Sequence, residues 1–311
     1  MVACALHRRS TCRNRQGRLL ILRAIVRDPA APGGTRLTAL PDPGKPGPGQ
    51  VRLRMTFAPV NPADRLVAAG RYAPMAELPE VMGAEGVGIV EAVGDGINAI
   101  APGDRAIPLP RGNWATIRLL DAAELIPVPA FLDDRQAAML RINPATAARL
   151  LTRLALKPGA RLLQNAPRSS VAGWLRRLAA RAKIDVPGED DDRPADAALD
   201  AVAGDATGRL AARLVPGGQL IVYGHLSGQP CSIPSTLLTT RDLTVSGFSL
   251  RPAEATDPPA ARRAFYSDLA TLAAAAPEPV SAIFALDEVE KAFAAAAIRG
   301  RKGRILLRLS D

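Results

Sequence analysis

Histidine and cysteine supply many of the nucleophiles, general bases and metal ligands that work near neutral pH. This chain of 311 residues has two histidines and three cysteines, and beyond residue 27 only His225 and Cys231 remain. A zinc site draws on several such ligands, and a disulfide framework needs paired cysteines. Both are excluded for the body of the chain. A Ser–His or Cys–His hydrolase is hard to build from a single histidine. What remains is a series of segments punctuated by glycine and proline: NPADRLVAAGRY (61–72), GAEGVGIVEAVG (83–94), INPATAARLL (142–151), LKPGARLLQNAPRSSV (156–171), GGQLIVYGHLSGQPCSIPSTLL (217–238) and DLTVSGFSL (242–250). The glycines around Glu85 suit a strand packed tightly beside a cleft.

The elements that must position these segments fall into two kinds. Up to about residue 130 the chain reads as turn-rich β structure, with strands at 20–27, 51–60, 86–93 and within 101–109, and a short helix after Asn61-Pro62. Near residue 132 the pattern changes. Asp133 and Asp134 can cap a helix, and Asn143-Pro144 starts another with Asn as the cap. Short apolar strands (160–166, 196–202, 219–224, 242–250) then alternate with helices. One of these places Val171, Trp174, Leu175 and Leu178 on one face. Such alternation predicts a parallel sheet. Two alanine-rich helices (262–276 and 287–299) and a last strand, RILLRL, complete the chain.

Composition narrows the partners. Forty Lys and Arg against 30 Asp and Glu give a net charge of +10. That balance suits acidic ligands such as phosphates or CoA. The charges are scattered and no recognition motif accompanies them, so nucleic acid is not an expected partner. No apolar run approaches the roughly 18 residues that span a bilayer, so no membrane is expected either. Residues 1–27 hold seven arginines and no acid, a composition like that of an organellar presequence. The reading preferred is a tail over 1–19 on a cytoplasmic protein.

In their order and spacing the segments resemble the medium-chain dehydrogenase/reductase superfamily over about residues 20–311. INPATA, QNA, YGHLSGQP and SGFSL are most similar to the mitochondrial-type 2-enoyl thioester reductases, with the quinone reductases close by. The resemblance implies an α/β fold. It has a Rossmann-type doubly wound parallel sheet over 131–276, shortened around 183–195, and a GroES-like β-rich catalytic domain over 20–130 completed by 277–311. The active site is then expected in the cleft between them, and the oligomer as a homodimer joined edge to edge through the cofactor sheets. Zinc-containing members carry a histidine after the first glycine of G-x-E and a cysteine in the preceding loop; here those places hold Ala84 and Asn61.

The same resemblance assigns roles. The cofactor is NADPH, with NADH possible, no zinc takes part, and the substrate is an acyl thioester or a quinone. Tyr72 is the proton donor, because a phenol can hydrogen-bond an enolate oxygen without protonating the ground state. Asn61 and Glu85 line the substrate cleft. Asn143 contacts the cofactor, and Arg168, Ser169, Ser170 and Val171 form its phosphate turn. Tyr223, Gly224, His225 and Leu226, then Phe248, Ser249, Leu250 and Arg251, lie along the nicotinamide. Lys302 or Arg304 reaches the 2′-phosphate or the substrate, although solvated surface charge is the plainer reading of both.

The chain departs from the family in two places. The phosphate turn reads APRSSVAG and lacks the G-x-G-x-x-G glycines that let backbone approach a pyrophosphate. Only 34 residues lie between Leu163 and Ala198, whereas each full strand–helix–strand crossover takes about 30. One short strand and an acidic turn fit there, so the strand that selects the adenosine ribose is cut down. A catalytically weak or inactive relative is therefore a further alternative.

Overall fold

The structure is a computed structural model that describes residues 21–72, 78–188, 191–250, 257–298 and 300–310. Residues 1–20, which include the tail, lie outside the described residues. The chain divides into two compact units. One runs to Arg141 and resumes at Arg263; the other is Ile142–Arg262.

The first unit opens with β1 (Ile21–Arg27) and β2 (Thr35–Pro41), an antiparallel hairpin. β3 (Gln50–Pro59) follows, then helix α1 (Pro62–Ala68) and β4 (Val87–Val93). Three short strands come next: β5 (Arg105–Pro108), β6 (Ile117–Asp121) and β7 (Leu125–Pro127). Helix α2 (Asp134–Ala138) is capped by Asp133, whose carboxylate accepts the N–H groups of Arg135 and Gln136 as its sequence position suggests. β3 is the spine of the unit. Its alternation buries Val51, Leu53 and Met55 completely, and each such side chain contributes about 1.5–3 kcal/mol of burial. Trp114, Ile305 and Leu307 pack into the same core.

The second unit begins with α3 (Asn143–Leu154), β8 (Leu162–Gln164) and α4 (Ser170–Arg181). It continues with β9 (Ala195–Asp200), α5 (Asp205–Ala211), β10 (Leu214–Val222), α6 (Ser235–Arg241) and β11 (Thr244–Gly247). The four strands form one parallel sheet in the order β11-β10-β9-β8. β9 is buried on both faces, as parallel strands are when helices cover them. On α4, Val171, Trp174 and Leu175 are buried as the spacing predicts, while Leu178 is half-buried and Ala179 takes the last core position. α3 starts one residue earlier than read. Ile142 is the cap, and Asn143 is the first helical residue with no capping bond from its side chain.

Beyond β8 a doubly wound sheet would continue with further strands. Among the described residues that wing is a single parallel bridge, Arg161 to Asp185. Ile184 is buried there, and Pro187-Gly188 follows at once. Proline lacks the N–H a ladder requires, so the strand stops where it starts.

The chain then returns to the first unit through α7 (Pro259–Ala275), β12 (Val280–Ala285), α8 (Val289–Ala297) and β13 (Arg304–Arg308). β13 runs antiparallel to β3, pairing Leu306 with Pro59 and Leu307 with Ala58, and β12 lies parallel to β13. The β-rich unit is thus built from both ends of the chain.

Candidate active site

In the β-rich unit a buried polar cluster gathers around the start of α1. Asn61 and Glu85 are 2% and 0% exposed. The Asn61 amide donates to Glu85 Oε1 at 2.9 Å and its oxygen accepts from Arg304 Nη2 at 2.7 Å. The Arg304 guanidinium stands 3.7 Å from both Glu85 and Glu278. Arg304 is therefore a buried structural cation, not the surface charge its Arg-Lys-Gly-Arg setting suggests; Lys302 is exposed. Gly83 has φ +101, and a Cβ there would collide with Trp114, so only glycine carries the backbone past the ring to Glu85.

Asp64, on the inward face of α1, is fully buried and accepts the N–H groups of Asn61 (2.9 Å) and Ala84 (3.0 Å). Burial pushes its carboxyl up to about 6, against the opposing pull of Arg111, of those two N–H groups and of Arg304. Arg111 lies 3.9 Å from Asp64 Oδ1, and its Nη2 donates to the Tyr72 hydroxyl at 3.3 Å. Tyr72 is half-buried at the edge of the core.

In the parallel-sheet unit, Arg168, Ser169, Tyr223, Gly224 and Phe248 follow the carboxyl ends of β8, β10 and β11, where open α/β sheets bind ligands. β8 leads into Asn165–Ser169 and then α4. The Ser169 hydroxyl caps that helix by accepting the Ala172 N–H at 3.1 Å, and it also hydrogen-bonds the Tyr223 side chain. The end of β10 is thereby tied to the turn between β8 and α4. Burial pushes the Tyr223 phenol up to about 12; the neighbouring Asp200 charge adds to this and the Ser169 bond opposes it. Asp200 is fully buried at the end of β9. Burial alone would raise its carboxyl, but it stays below the usual range because it accepts from Thr207 Oγ1 (2.6 Å), Asn165 Nδ2 (2.6 Å) and the N–H groups of Ala203 and Val202 (2.8 Å each).

Other assigned residues take simpler places. Arg168 is exposed on the turn and Ser170 opens α4, but the Val171 side chain is buried in the helix face. Asn143 is half-buried. A Cβ on Gly224 would run into the Ala201 carbonyl, which accounts for glycine there. His225 and Leu226 are exposed on the following loop. The Phe248 N–H bonds the Val222 carbonyl at 2.9 Å, Ser249 is exposed and Leu250 half-buried. Arg251 lies outside the described residues. Sequence reading missed Asp64, Arg111, Asn165 and Asp200. An aspartate closing an apolar strand, as in DAALD, was the one local signal among them.

These two constellations sit on a chain with clear relatives. Residues 47–130 match the alcohol dehydrogenase GroES-like domain family. The chain is 32% identical to the mitochondrial enoyl-acyl-carrier-protein reductase of Mus musculus over 64% of each protein. It is 30% identical to that of Xenopus tropicalis, over 65% of this chain and 69% of the relative. The match to the mouse protein thus spans 64% of that protein's length. Escherichia coli quinone oxidoreductase complexed with NADPH shares the fold at a TM-score of 0.81 and 20% identity, covering 92% of this chain and 99% of that one. The chain belongs to the medium-chain dehydrogenase/reductase superfamily, in the family of the mitochondrial enoyl-acyl-carrier-protein reductases.

Proposed function

We propose that this protein reduces the activated C=C bond of a 2-enoyl thioester by hydride transfer from NADPH, with NADH as an alternative donor, and without zinc. One observation carries the reading. A half-buried phenol, Tyr72, is held by a cation beside the cluster that fills the place where zinc-dependent relatives keep their metal ligands. Ala84 offers no donor atom, both ends of the Asn61 amide are engaged, and Glu85 is bound to that amide and faces Arg304. Those residues do not fit a zinc ion.

The parallel-sheet unit fits a dinucleotide. The first turn of α4 offers N–H groups to a pyrophosphate, with the Arg168 cation and the Ser169 and Tyr223 hydroxyls at the same strand ends. When bound, a reduced nicotinamide supplies hydride. The chain's own part is to orient the reactants, stabilise charge on the thioester oxygen and deliver a proton to the α-carbon from the Tyr72 hydroxyl. In this reading the protein is cytoplasmic and a homodimer. The outer edge of the sheet is β11, where Val245 is 38% exposed, and that edge is the surface proposed to pair with a second copy.

A substrate panel tests the assignment. Crotonyl and longer enoyl thioesters should turn over faster than quinones with NADPH. Activity on quinones alone would move the protein to the quinone reductases. Failure to bind either cofactor at millimolar concentration, read by fluorescence transfer, would exclude a reductase altogether.

A further inference from the structure

Arg111 has so far been given only a bond to Tyr72 and no part in the reaction, yet its surroundings are built to hold it. Its guanidinium stands over the Tyr72 ring, 4.9 Å from the centroid, while Nη2 reaches the hydroxyl at 3.3 Å. The buried Asp64 carboxylate lies 3.9 Å from Nη1. The loop that presents it is fixed on several sides. The N–H groups of Gly112 and Asn113 both bond the Gly83 carbonyl, at 2.9 and 3.2 Å. Arg118 Nη1 bonds the Arg111 carbonyl at 3.0 Å and Asn113 Oδ1 at 2.8 Å. The Arg111 side chain is only 23% exposed. A cation serving solubility alone needs neither a ring beneath it nor a buried counter-charge behind it.

We propose that Arg111 is the positioning residue for the proton donor, holding the Tyr72 phenol in place and stabilising the negative charge that proton donation leaves on its oxygen. The inference rests on Tyr72 being the donor. In the step concerned, the β-carbon receives the hydride and the thioester becomes an enolate. The Tyr72 O–H bond then breaks, its electron pair stays on oxygen, and the proton forms the new C–H bond at the α-carbon. The alkene is reduced, the nicotinamide is oxidised, and water returns a proton to the phenolate. A fixed cation at that oxygen acts where charge develops, so it favours the transition state over the ground state. Asp64 keeps the guanidinium from swinging towards solvent.

The test is a double-mutant cycle on the full chain with crotonyl thioester and NADPH. Arg111→Leu should lower kcat by about 100-fold with KM for the thioester changed by less than about threefold. Arg111→Lys should recover about tenfold of that loss, because a single ammonium replaces the charge but not the two-sided geometry. In a Tyr72→Phe background, adding Arg111→Leu should cost less than about threefold more. NADPH binding, read by fluorescence, should be unchanged in every variant. A kcat within about threefold of the parent for Arg111→Leu, or an undiminished further loss on top of Tyr72→Phe, overturns the inference. Should Arg111→Leu not fold, Arg111→Lys decides: a lowered kcat with unaltered thermal unfolding supports the role and an unaltered kcat removes it. Full turnover by Tyr72→Phe alone would instead overturn the underlying assignment of the donor.

Discussion

Replacing Arg304 by methionine should unfold the β-rich unit far more readily than the loss of one C-terminal charge suggests. Arg304 and Glu85 are both buried, and the guanidinium also donates to Asn61 Oδ1 at 2.7 Å. Methionine fills most of the volume but leaves the Glu85 carboxylate without its cation, a change that costs about 3–5 kcal/mol. The Asn61 oxygen loses a donor as well, worth about 1–3 kcal/mol where it stays buried and unsatisfied. The two losses share one site and do not add fully, so the net expectation is about 4 kcal/mol. Domains hold only about 5–15 kcal/mol in total. For a unit of this size the change corresponds to roughly 10 °C in Tm. Urea unfolding followed by tryptophan fluorescence measures it directly, because Trp114 is fully buried in the same core. The companion variant Arg304→Met with Glu85→Gln removes the uncompensated charge and keeps a partner for Asn61, so it should recover at least half of the loss. A single variant costing less than about 1 kcal/mol would refute the reasoning, and so would a double variant as unstable as the single.

Two further perturbations probe the neighbouring groups. Asp64 holds its proton more tightly in the folded chain, at about 6, than at its ordinary 3.8, chiefly through burial. Its contribution is therefore fully present below about pH 4 and is lost as pH rises through about 6, a swing of about 3 kcal/mol. Asp64→Asn should flatten the dependence of the urea midpoint on pH across that window, and an unchanged slope would remove Asp64 as its source. Ser169→Ala removes both the α4 cap and the bond to Tyr223. It should cost about 1 kcal/mol of stability and weaken NADPH binding measured by fluorescence; unchanged affinity would argue that the turn does not hold the pyrophosphate.

The parts of this molecule legible in the sequence are those where one local pattern decides the outcome. VRLRMTFAPV alternates because one face of β3 is core, and Asp133 caps α2 because its carboxylate meets the free N–H groups of the first turn. β12 and α6 passed unseen for the opposite reason. The first alternates half-buried Val280, Ala282 and Phe284 with exposed Ser281 and Ile283 and buries none of them fully, and the second buries none of its side chains. Local motifs single out Tyr72, Asn61 and Glu85 as candidates, but not the residues they touch. Arg111 meets Tyr72 across 39 positions and Arg304 meets Asn61 across 243. An arginine between glycine, lysine and isoleucine carries no local sign that a buried glutamate awaits it.

Among the described residues a single bridge lies beyond β8, and its position bears on cofactor choice. The bridge between Arg161 and Asp185 lies at the amino end of β8. There Arg161 pairs with Asp185 at 3.1 Å and with Asp191 at 2.9 Å, and Asp191 also pairs with Arg193. These contacts close the shortened edge with acids already neutralised. The phosphate turn, at the other end of β8, depends on β8, β9 and α4, all of which are present. Selection for the 2′-phosphate ordinarily comes from basic residues just after the second strand of such a sheet, and among the described residues only the bridge stands in that place. The pyrophosphate and nicotinamide contacts should therefore carry most of the affinity, and they are common to both dinucleotides. Dissociation constants for NADPH and NADH are expected to lie within about tenfold of each other, a difference below about 1.4 kcal/mol. A preference for NADPH of a hundredfold or more would mean that basic residues elsewhere in the chain take over the 2′-phosphate, and Arg168, exposed on the turn, would be the first to replace.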